Sequence, residues 1–471
     1  MIPAVPHHPG GDASRRRGIR PLTLMALMLI VLIFIPPGFN ADARFGPSSS
    51  VAASQKRSYP RHLYPKLFIQ VQKYYPSATL LDKAADWDVL VLDAETVASR
   101  PEFLGPSGRI RSHSAAAVVL FYFSPADIIP GNPAPINAGF LAGLKDGDYM
   151  KDAAGARYLL FLLPGGVWTE MLNLTTRVNG YLPAYLKSAV VSKGLGDGVF
   201  YDWITEQISW LNDRSPNPNK PLDIDNDGVA DSDAKLDSAW VRGTKNMLAK
   251  SRQKYPEGTL IVGNGGWVFD DTYKGCLQGR MVENFLGGES FGYDWHRVLR
   301  GHWLMHRGSL SPKISLIMAN GGMRNYRFMR FALCSTLMFD GYFAYTNTGT
   351  YQASWWYDEY SVDKTTGKAV RSLAFKGWLG SPKGAAYDAA DTTVLLSSFL
   401  LKDDRSSLTK VWRRDFEYGT ALVNPGSATR TVSLGAVFRK IKGTFDPATN
   451  DGKTVSSVQL GPRSGLVLLA K

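Results

Sequence analysis

Short and almost uninterrupted apolar runs recur along this chain, separated by segments of helical length such as 180–193 and 236–255. A run that is apolar at every position, rather than at alternate ones, is typical of a strand buried on both faces of a sheet. Strands that alternate with helices eight times predict an α/β fold, a closed (β/α)8 TIM barrel. The predicted strands are 89–92, 117–123, 171–174, 199–201, 260–263, 281–282, 314–318 and 341–345.

The chain is long enough for such a barrel and a smaller second module. After the turn-rich stretch 380–384, short β-like runs and turn residues replace the helical segments. We therefore expect a small C-terminal antiparallel β-sandwich. The predicted divisions are a signal peptide or N-terminal anchor at 1–43, a flexible lead-in at 44–58, the catalytic barrel at 59–384 and the β-sandwich at 385–471.

The N-terminus has the pattern of an export signal. Four arginines precede the apolar stretch 22–35, which is followed by Pro36-Pro37 and the small-residue site 41–43. The apolar stretch is short for a bilayer span, but 22–39 is only lightly interrupted, so an uncleaved anchor stays open. In either case we expect the folded part outside the cytoplasm, either secreted or in the periplasm or cell envelope.

The net charge of +13 is spread along the chain rather than gathered in one basic block. Sustained nucleic-acid binding calls for a clustered basic stripe, so we expect no nucleic-acid partner. Contact with a membrane is expected only through an uncleaved N-terminal segment. Two cysteines, Cys276 and Cys334, cannot provide a disulfide framework, and the apolar surroundings of Cys334 in the sequence indicate a buried thiol.

Two of the predicted strands end at a carboxylate. Asp202 follows the fourth predicted strand and Glu283 follows the sixth. Because side chains at the C-terminal ends of barrel strands converge on one mouth, these residues can face a common substrate. A carboxylate pair is the minimum machinery for glycoside hydrolysis, and we assign Asp202 as nucleophile or charge stabiliser and Glu283 as general acid/base. Strand ends in any α/β fold are polar, however, so each residue could simply belong to a solvated loop.

Other residues at strand ends and in nearby loops are candidates for substrate binding. Asp93 could be an alternative catalytic carboxylate or the cap of the next helix. The amides could bind sugar hydroxyls or merely satisfy backbone groups, and the tryptophans could stack on sugar rings or belong to the core. The candidates are Asp93, Asn173, Trp203, Asn264, Trp355 and Trp356.

The segment 223–233 resembles the first half of a calcium loop. Oxygen ligands at alternate positions, with Gly228 sixth for the sharp turn, match the pattern, but the twelfth position is Ala234 where a bidentate glutamate is expected. We predict a structural Ca²⁺ ion with Asp233 or Asp237 as a substitute ligand. The predicted ligands are Asp223, Asp225, Asp227, Val229 and Asp231. No organic cofactor is expected, because the sequence lacks metalloprotease, serine-hydrolase and phosphate-loop motifs.

Several short motifs together resemble those of hypothetical glycosyl hydrolase family 15. They are Asp-Gly-Val-Phe-Tyr-Asp-Trp at 197–203, the acidic loop, Val-Gly-Asn-Gly at 262–265, Glu-Asn-Phe at 283–285, and the stretch 413–425. The similarity covers about residues 80–470. It implies a TIM-barrel glycosidase related to the α-galactosidase and endo-α-1,4-polygalactosaminidase groups, with catalytic carboxylates at the ends of strands four and six. Those positions match Asp202 and Glu283.

The sequence therefore predicts an exported glycoside hydrolase that acts on an extracellular or envelope polysaccharide. A non-catalytic carbohydrate-binding barrel of the cell envelope is the alternative, in which the same carboxylates would only hydrogen-bond sugar. A membrane-tethered scaffold would require the N-terminal apolar segment to stay on the mature protein.

Overall fold

The computed structural model of the protein describes residues 59, 62–163, 165–213, 221–265, 272–286, 294–347 and 353–471. Its centre is an eight-stranded sheet in which every pairing is parallel. The strands are β1 (Phe68–Val71), β2 (Val89–Asp93), β3 (Val118–Phe123), β4 (Gly198–Tyr201), β5 (Leu260–Asn264), β6 (Gly279–Val282), β7 (Ser315–Asn320) and β8 (Gly341–Thr346).

The sheet follows chain order and curls until its two edges meet. A parallel bridge pairs Leu67, just before β1, with Phe343 in β8, and the amide of Phe343 donates to the carbonyl of Lys66 at 2.9 Å. This contact brings the first and last strands together into a nearly closed barrel. The predicted (β/α)8 fold is confirmed.

The predicted strand set contains two errors that offset each other. Residues Phe68–Val71 form the first barrel strand, which the sequence prediction omitted. Residues 171–174 are not a barrel strand, because Trp168–Met171 pairs antiparallel with Leu159–Leu162 and Asp127–Ile128 in a small sheet between β3 and β4. A second small pairing joins Lys151–Asp152 to Leu222–Asp223. With one strand missed and one added, β4 and β6 keep the places that the sequence assigned to them.

Helices surround the barrel, and side chains cap three of the longer ones. Ser232, Asp294 and Asn325 each accept a hydrogen bond from a backbone amide in the first helical turn, which satisfies a donor that the helix leaves unpaired. The helices are α1 (Ala78–Ala84), α2 (Thr96–Ser99), α3 (Arg109–His113), α4 (Pro135–Ala142), α5 (Val178–Ala189), α6 (Asp233–Lys254), α7 (Trp295–Gly308), α8 (Tyr326–Leu337) and α9 (Leu396–Lys402). Short 3-10 turns lie at Pro101–Phe103, Asp146–Asp148, Val191–Lys193, Ser209–Leu211, Asp358–Tyr360, Leu373–Phe375 and Arg405–Thr409.

Apolar side chains fill the lower and middle parts of the barrel interior. This interior cluster includes Phe68, Leu120, Phe200, Val262 and Met281, all buried. The alternate side chains of the same strands point outward into a larger core beneath the helices. The barrel is therefore a packed core, and the polar end of its interior is where a site can form.

Beyond residue 385 the chain forms a seven-stranded antiparallel sheet, so the C-terminal module is antiparallel as predicted. The strands are β9 (Tyr387–Asp388), β10 (Asp391–Leu395), β11 (Trp412–Phe416), β12 (Gly419–Asn424), β13 (Arg430–Lys440), β14 (Thr454–Leu460) and β15 (Ser464–Ala470). Their order in the sheet is β10-β9-β11-β12-β15-β13-β14. One contact of this module with the barrel is the guanidinium of Arg414, which donates to the carboxylate of Asp340 at 3.0 Å.

The predicted signal or anchor at 1–43 and the lead-in at 44–58 lie outside the described residues. Within the described ranges, no helix combines the length and apolar character that crossing a bilayer requires. Both cysteines are free, and Cys334 is buried as the sequence indicated.

Candidate active site

Strand periodicity places a polar ring on top of the apolar barrel interior. Phe200, Val262 and Met281 point into the barrel, and side chains alternate along a strand, so the residues two positions further on also point inward. Those residues are Asp202, Asn264 and Glu283. The two predicted carboxylates therefore lie at the same mouth, above β4 and β6, with Asn264 on the strand between them.

One amide nitrogen joins the two carboxylates. The Nδ2 atom of Asn264 donates to Oδ1 of Asp202 at 2.9 Å and to Oε2 of Glu283 at 2.7 Å. Because 2.9 Å and 2.7 Å add to 5.6 Å, these two carboxylate oxygens can be no further apart than that. The two N–H bonds of an amide diverge by about 120°, which places the oxygens about 5 Å apart. Such a distance leaves room for one anomeric carbon between them.

Asp202 is held by three donors. Tyr122 donates its hydroxyl to Oδ2 at 2.6 Å, while the backbone amide of Trp203 at 2.8 Å and the side chain of Asn264 donate to Oδ1. A carboxylate that accepts from three donors is fixed in orientation and favoured in its ionised form. Sequence reasoning missed Tyr122. The sequence could have indicated it, because Tyr122 follows the inward-facing Leu120 by two residues and therefore also points inward.

Opposing influences set the protonation of Asp202. Burial, and then the negative charge of Glu283, raise the pKa of Asp202 to about 6, while the hydrogen bonds from Tyr122 and Trp203 pull it down. Burial, together with the adjacent Asp202 carboxylate, raises the pKa of the Tyr122 phenol well above its usual value. At neutral pH the phenol is therefore a donor and Asp202 is mostly ionised.

The backbone turns sharply after each carboxylate. Trp203 has φ of 54° and Asn284 has φ of 61°, both in the left-handed region that side chains other than glycine rarely adopt. A bulky tryptophan there costs about 1–2 kcal/mol. Strain of this kind is often found at functional sites, and here it occurs directly after both members of the pair.

Three buried amide oxygens of the mouth have no hydrogen-bond partner among the described residues. They are Oε1 of Gln70 at the end of β1, Oδ1 of Asn264 and Oδ1 of Asn320 at the end of β7. The assignment at Asn264 is fixed because its nitrogen already donates to both carboxylates, and the nitrogen of Asn320 donates to Asn284 at 3.0 Å. An unpaired buried acceptor is costly, and a sugar hydroxyl can supply the missing donor.

Asp93 lies at the mouth, at the end of β2, and does not cap a helix through its own side chain. It accepts from the backbone amide of Glu95 at 2.9 Å, and Glu95 in turn accepts from the amides of Ile136 and Asn137 at the start of α4. The next helix, α2, therefore has no side-chain cap, whereas Glu95 caps α4. Burial raises the pKa of Asp93 to about 8, so at neutral pH it carries a proton that it can donate.

The predicted substrate-binding role of Asn173 is wrong. The residue is 0% exposed. Its amide nitrogen donates to the carbonyl of Ile224 at 2.8 Å, and its oxygen accepts from the backbone and hydroxyl of Thr175. All its polar atoms are therefore used inside the protein. The error follows from the false strand at 171–174, which had placed Asn173 at the barrel mouth.

Two of the three predicted stacking tryptophans are core residues. Trp203 is 2% exposed and packs against Phe161 and Trp210. Trp356 is 7% exposed and packs on Trp87, which precedes β2 and so lies at the end of the barrel opposite the mouth. Neither can present a ring face to a sugar in the mouth, so both predictions are wrong.

Among the residues that the structure describes, Trp355 and Tyr75 offer aromatic surface near the mouth. Trp355 is partly exposed, and its ring centre lies 6.1 Å from that of Tyr345 near the C-terminal end of β8. Tyr75, in the loop after β1, is 50% exposed. Sequence reasoning missed Tyr75 because its strand was not recognised.

The predicted calcium loop brings three of its carboxylates together. Ligand atoms of Asp223, Asp225 and Asp227 all lie within 4.8 Å of one another. Lys235 also approaches the loop, with its ammonium 2.6 Å from Asp225 and 2.5 Å from Asp231. The donor set suits Ca²⁺, which prefers carboxylate and carbonyl oxygens, and Lys235 would compete with the ion for two of its ligands. Calcium binding stays a prediction.

Two further features of this loop bear on its predicted ligands. Val229 would contribute through its backbone carbonyl, since its side chain is apolar and exposed. Asp237 is not free to substitute as a ligand, because it accepts from the backbone of Ile208 and from the backbone and hydroxyl of Ser209.

A parallel barrel with a close carboxylate pair at its mouth is the architecture of the TIM-barrel glycoside hydrolases. The model of hypothetical glycosyl hydrolase family 15 matches residues 164–420, more than half of the chain. The protein belongs to that family, and the expected resemblance is confirmed.

Solved structures with similarity to the chain include several glycoside hydrolases. The glycoside hydrolase domain of PelA from Pseudomonas aeruginosa is 15% identical, covers 60% of this chain and 95% of its own, and has a TM-score of 0.38. Aspergillus fumigatus Ega3, solved in complex with galactosamine, is 13% identical over 64% of this chain and 97% of its own, with a TM-score of 0.37. The maltogenic α-amylase AmyB from Thermotoga neapolitana is 9% identical over 86% and 98%, with a TM-score of 0.43. No curated protein matches the chain.

Proposed function

We propose that this protein hydrolyses glycosidic bonds of a polysaccharide, with Asp202 as the nucleophile and Glu283 as the general acid/base. The observation that carries the proposal is the pair of hydrogen bonds from Asn264, which limits the separation of the two carboxylate oxygens to the sum of 2.9 Å and 2.7 Å. A separation of about 5–5.5 Å suits a retaining glycosidase, whereas an inverting one needs about 6.5–9.5 Å to admit a water molecule.

The contacts of the two carboxylates support these roles. Asp202 accepts from Tyr122, Trp203 and Asn264, which fixes it for attack as an anion. Glu283 accepts from Asn264, its one hydrogen-bond partner among the described residues. Its other oxygen, Oε1, accepts from none of the described residues and is therefore available to the leaving oxygen.

The reaction proceeds in two displacements. In the first, an Asp202 oxygen bonds to the anomeric carbon while the bond to the leaving oxygen breaks, and Glu283 gives that oxygen its proton. In the second, water attacks the same carbon, Glu283 takes a proton from the water, and Asp202 leaves as a carboxylate. The product keeps the anomeric configuration of the substrate.

Other groups of the mouth position the sugar. The unpaired amide oxygens of Gln70, Asn264 and Asn320 can accept from its hydroxyls, and protonated Asp93 can donate to one. Tyr75 and Trp355 offer ring surface for stacking further along the chain.

The substrate is an extracellular or envelope polysaccharide, and the protein is exported to reach it. This part of the proposal comes from the arginine-rich, apolar N-terminus. Mass spectrometry of the N-terminus of the protein recovered from its native compartment tests it. A start near residue 44 supports cleavage, whereas retention of residues 22–39 would support a membrane tether.

The variants Asp202→Asn and Glu283→Gln separate an enzyme from a non-catalytic carbohydrate-binding barrel. Release of reducing ends from a panel of polysaccharides is measured, together with glycan binding by calorimetry. Turnover is expected to fall at least about 10³-fold in each variant while binding persists. The exposed Asp391→Asn is the matched control. Binding without hydrolysis by the unaltered protein would favour the carbohydrate-binding alternative.

A further inference from the structure

A groove of about 690 Å³ lies between the start of α8 and the C-terminal sheet, and none of the mouth residues Asp202, Asn264 and Glu283 lines it. Arg324, Asn325 and Tyr326 line it from the barrel side, and Ser457 and Gln459 line it from β14. Its volume falls in the usual range of ligand sites, about 300–1,000 Å³.

The walls of this groove are positively charged. Arg324, Arg327, Arg330 and Lys440 line it, against a single lining acid, Asp446. Asp446 is already engaged, because the guanidinium of Arg330 lies 2.5 Å from it. Lys440 lies 3.5 Å from Asp451, an acid outside the lining, so Arg324 and Arg327 are the lining cations that have no ion pair with a described carboxylate.

The arginines of the groove differ in their exposure and in their hydrogen-bond partners. Arg330 is buried and also lies 3.4 Å from Glu359, so it serves the contact between barrel and sheet. Arg327 is exposed and donates to the backbone carbonyl of Pro462, a neutral partner that leaves its charge in place. Arg324 is also exposed. Arg324 and Arg327 are thus the two charges most accessible to a ligand.

The rest of the lining suits a sugar chain. Asn325, Thr449, Ser457 and Gln459 offer hydroxyl and amide groups, and Tyr326 adds an aromatic ring. Carbohydrates need such a mixture of hydrogen-bonding groups and flat apolar surface. The planar guanidinium of arginine can also donate two parallel hydrogen bonds to one carboxylate or phosphate group.

We propose that this groove binds a segment of an anionic glycan, one that carries carboxylate or phosphate groups, outside the catalytic mouth. The loop 321–325 connects the two places, since it begins after Asn320 in the mouth and ends at Asn325 in the groove. The inference rests on the proposed function in one respect, namely that the bound glycan is also the substrate polymer. The groove would then hold a charged stretch of the polymer while a neighbouring stretch is cut.

The test measures binding on the catalytically silent Asp202→Asn protein, so that hydrolysis cannot alter the ligand. The probes are hexagalacturonate, a glycerol-phosphate oligomer, neutral maltohexaose and a single-stranded DNA hexamer. Binding is measured by calorimetry at low and physiological salt. The double variant Arg324→Ala/Arg327→Ala is compared with Arg242→Ala/Lys245→Ala on α6, which removes the same charge from another exposed surface.

The double variant in the groove is expected to weaken binding of the uronate or the phosphate probe about tenfold and to reduce its salt dependence. The control variant should bind as before. Whichever anionic probe binds more tightly identifies the charged group. The inference would be overturned if both double variants bound the anionic probes equally well. It would also be overturned if maltohexaose bound as tightly as the anionic probes, or if the DNA hexamer bound more tightly than they do. Polysaccharide hydrolysis by the groove variant is measured separately, so loss of the groove and failure of the proposed function remain distinguishable.

Discussion

Asp202 and Glu283 share one hydrogen-bond donor, the side-chain amide of Asn264 on the strand between them. The neutral amide keeps two carboxylates at a short, fixed distance without adding charge of its own. Three successive strands of the barrel thus each contribute one inward-facing residue to the same arrangement.

Replacement of Asn264 should disrupt this arrangement. Asn264→Asp places a third carboxylate between the pair, and loss of the donor together with the added repulsion is expected to lower kcat about 10²–10³-fold. Steady-state kinetics on the preferred glycan measure this. The control is Asn173→Ala, which should lower the free energy of unfolding by about 1–3 kcal/mol but leave the kcat of folded protein intact. If kcat fell in Asn173→Ala and stayed unchanged in Asn264→Asp, Asn173 rather than Asn264 would belong to the site.

The pH dependence should reveal the role of Tyr122. As the proposed nucleophile, Asp202 has to be ionised, and its pKa is raised to about 6, so kcat/KM should rise as the pH passes that value. The Tyr122 hydrogen bond lowers this pKa, so Tyr122→Phe should move the acid limb to higher pH. Tyr158→Phe, which removes a hydroxyl bonded to the carbonyl of Leu211, is the control and should leave the limb in place. An acid limb that does not move in Tyr122→Phe would argue against Asp202 as the ionising group.

Asp93 should make stability depend on pH. Its pKa in the folded protein is raised to about 8, above the usual value of 3.8, because burial disfavours the charge. A raised pKa means that the contribution to stability is complete below about pH 4 and is lost as pH rises through about 8. Asp93→Asn cannot ionise, so the fall in its urea midpoint between pH 5 and pH 8 should be smaller than in the unaltered protein. If the urea midpoints of Asp93→Asn and of the unaltered protein changed in parallel with pH, the buried and protonated state of Asp93 would be contradicted.

The adjacent tryptophans Trp355 and Trp356 should behave differently. Trp356→Ala is expected to cost about 3–5 kcal/mol of unfolding free energy, since it empties a buried space against Trp87. Trp355→Ala should instead raise KM for the polysaccharide and change the melting temperature little. Thermal melts and kinetics on both variants measure the two effects. A raised KM in Trp356→Ala, without destabilisation, would contradict the placement of that ring.

Calcium should stabilise the loop after β4. If the ion binds Asp223, Asp225 and Asp227, adding it should raise the melting temperature and a chelator should lower it. Lys235→Ala removes the competing ammonium and is expected to tighten binding, whereas Asp227→Ala should abolish it. Calorimetry with Ca²⁺ alone checks this. If Ca²⁺ raised the melting temperature of Asp227→Ala as much as that of the unaltered protein, any calcium site would lie elsewhere.

Much of the barrel could be predicted from sequence because strands buried on both faces are apolar throughout. The missed strand, Phe68–Val71, is short and includes Gln70, a polar residue that belongs to the mouth and breaks the apolar run. Three of the four residues in the false strand, Met171, Leu172 and Leu174, are apolar because they pack inside an insertion rather than in the barrel. Apolarity reports burial and does not identify which sheet buries a segment.

The polar ring at the mouth was partly predictable. Asp202, Asn264 and Glu283 all follow an inward-facing residue by two positions, and the same rule would have found Tyr122. The predictions for Trp203 and Trp356 failed because aromatic content reveals neither which side chains are buried nor at which end of a barrel they pack. Trp356 is the clearest example, since its partner Trp87 precedes β2.

Peptide mass spectrometry of rapidly quenched reactions tests the nucleophile most directly. With a slow fluorinated substrate, a peptide containing Asp202 is expected to gain the mass of one glycosyl unit, and the first product is expected to keep the anomeric configuration of the substrate. An inverted first product without a glycosylated peptide, or a sugar attached to a peptide that lacks Asp202, would contradict the assignment of Asp202 as the nucleophile.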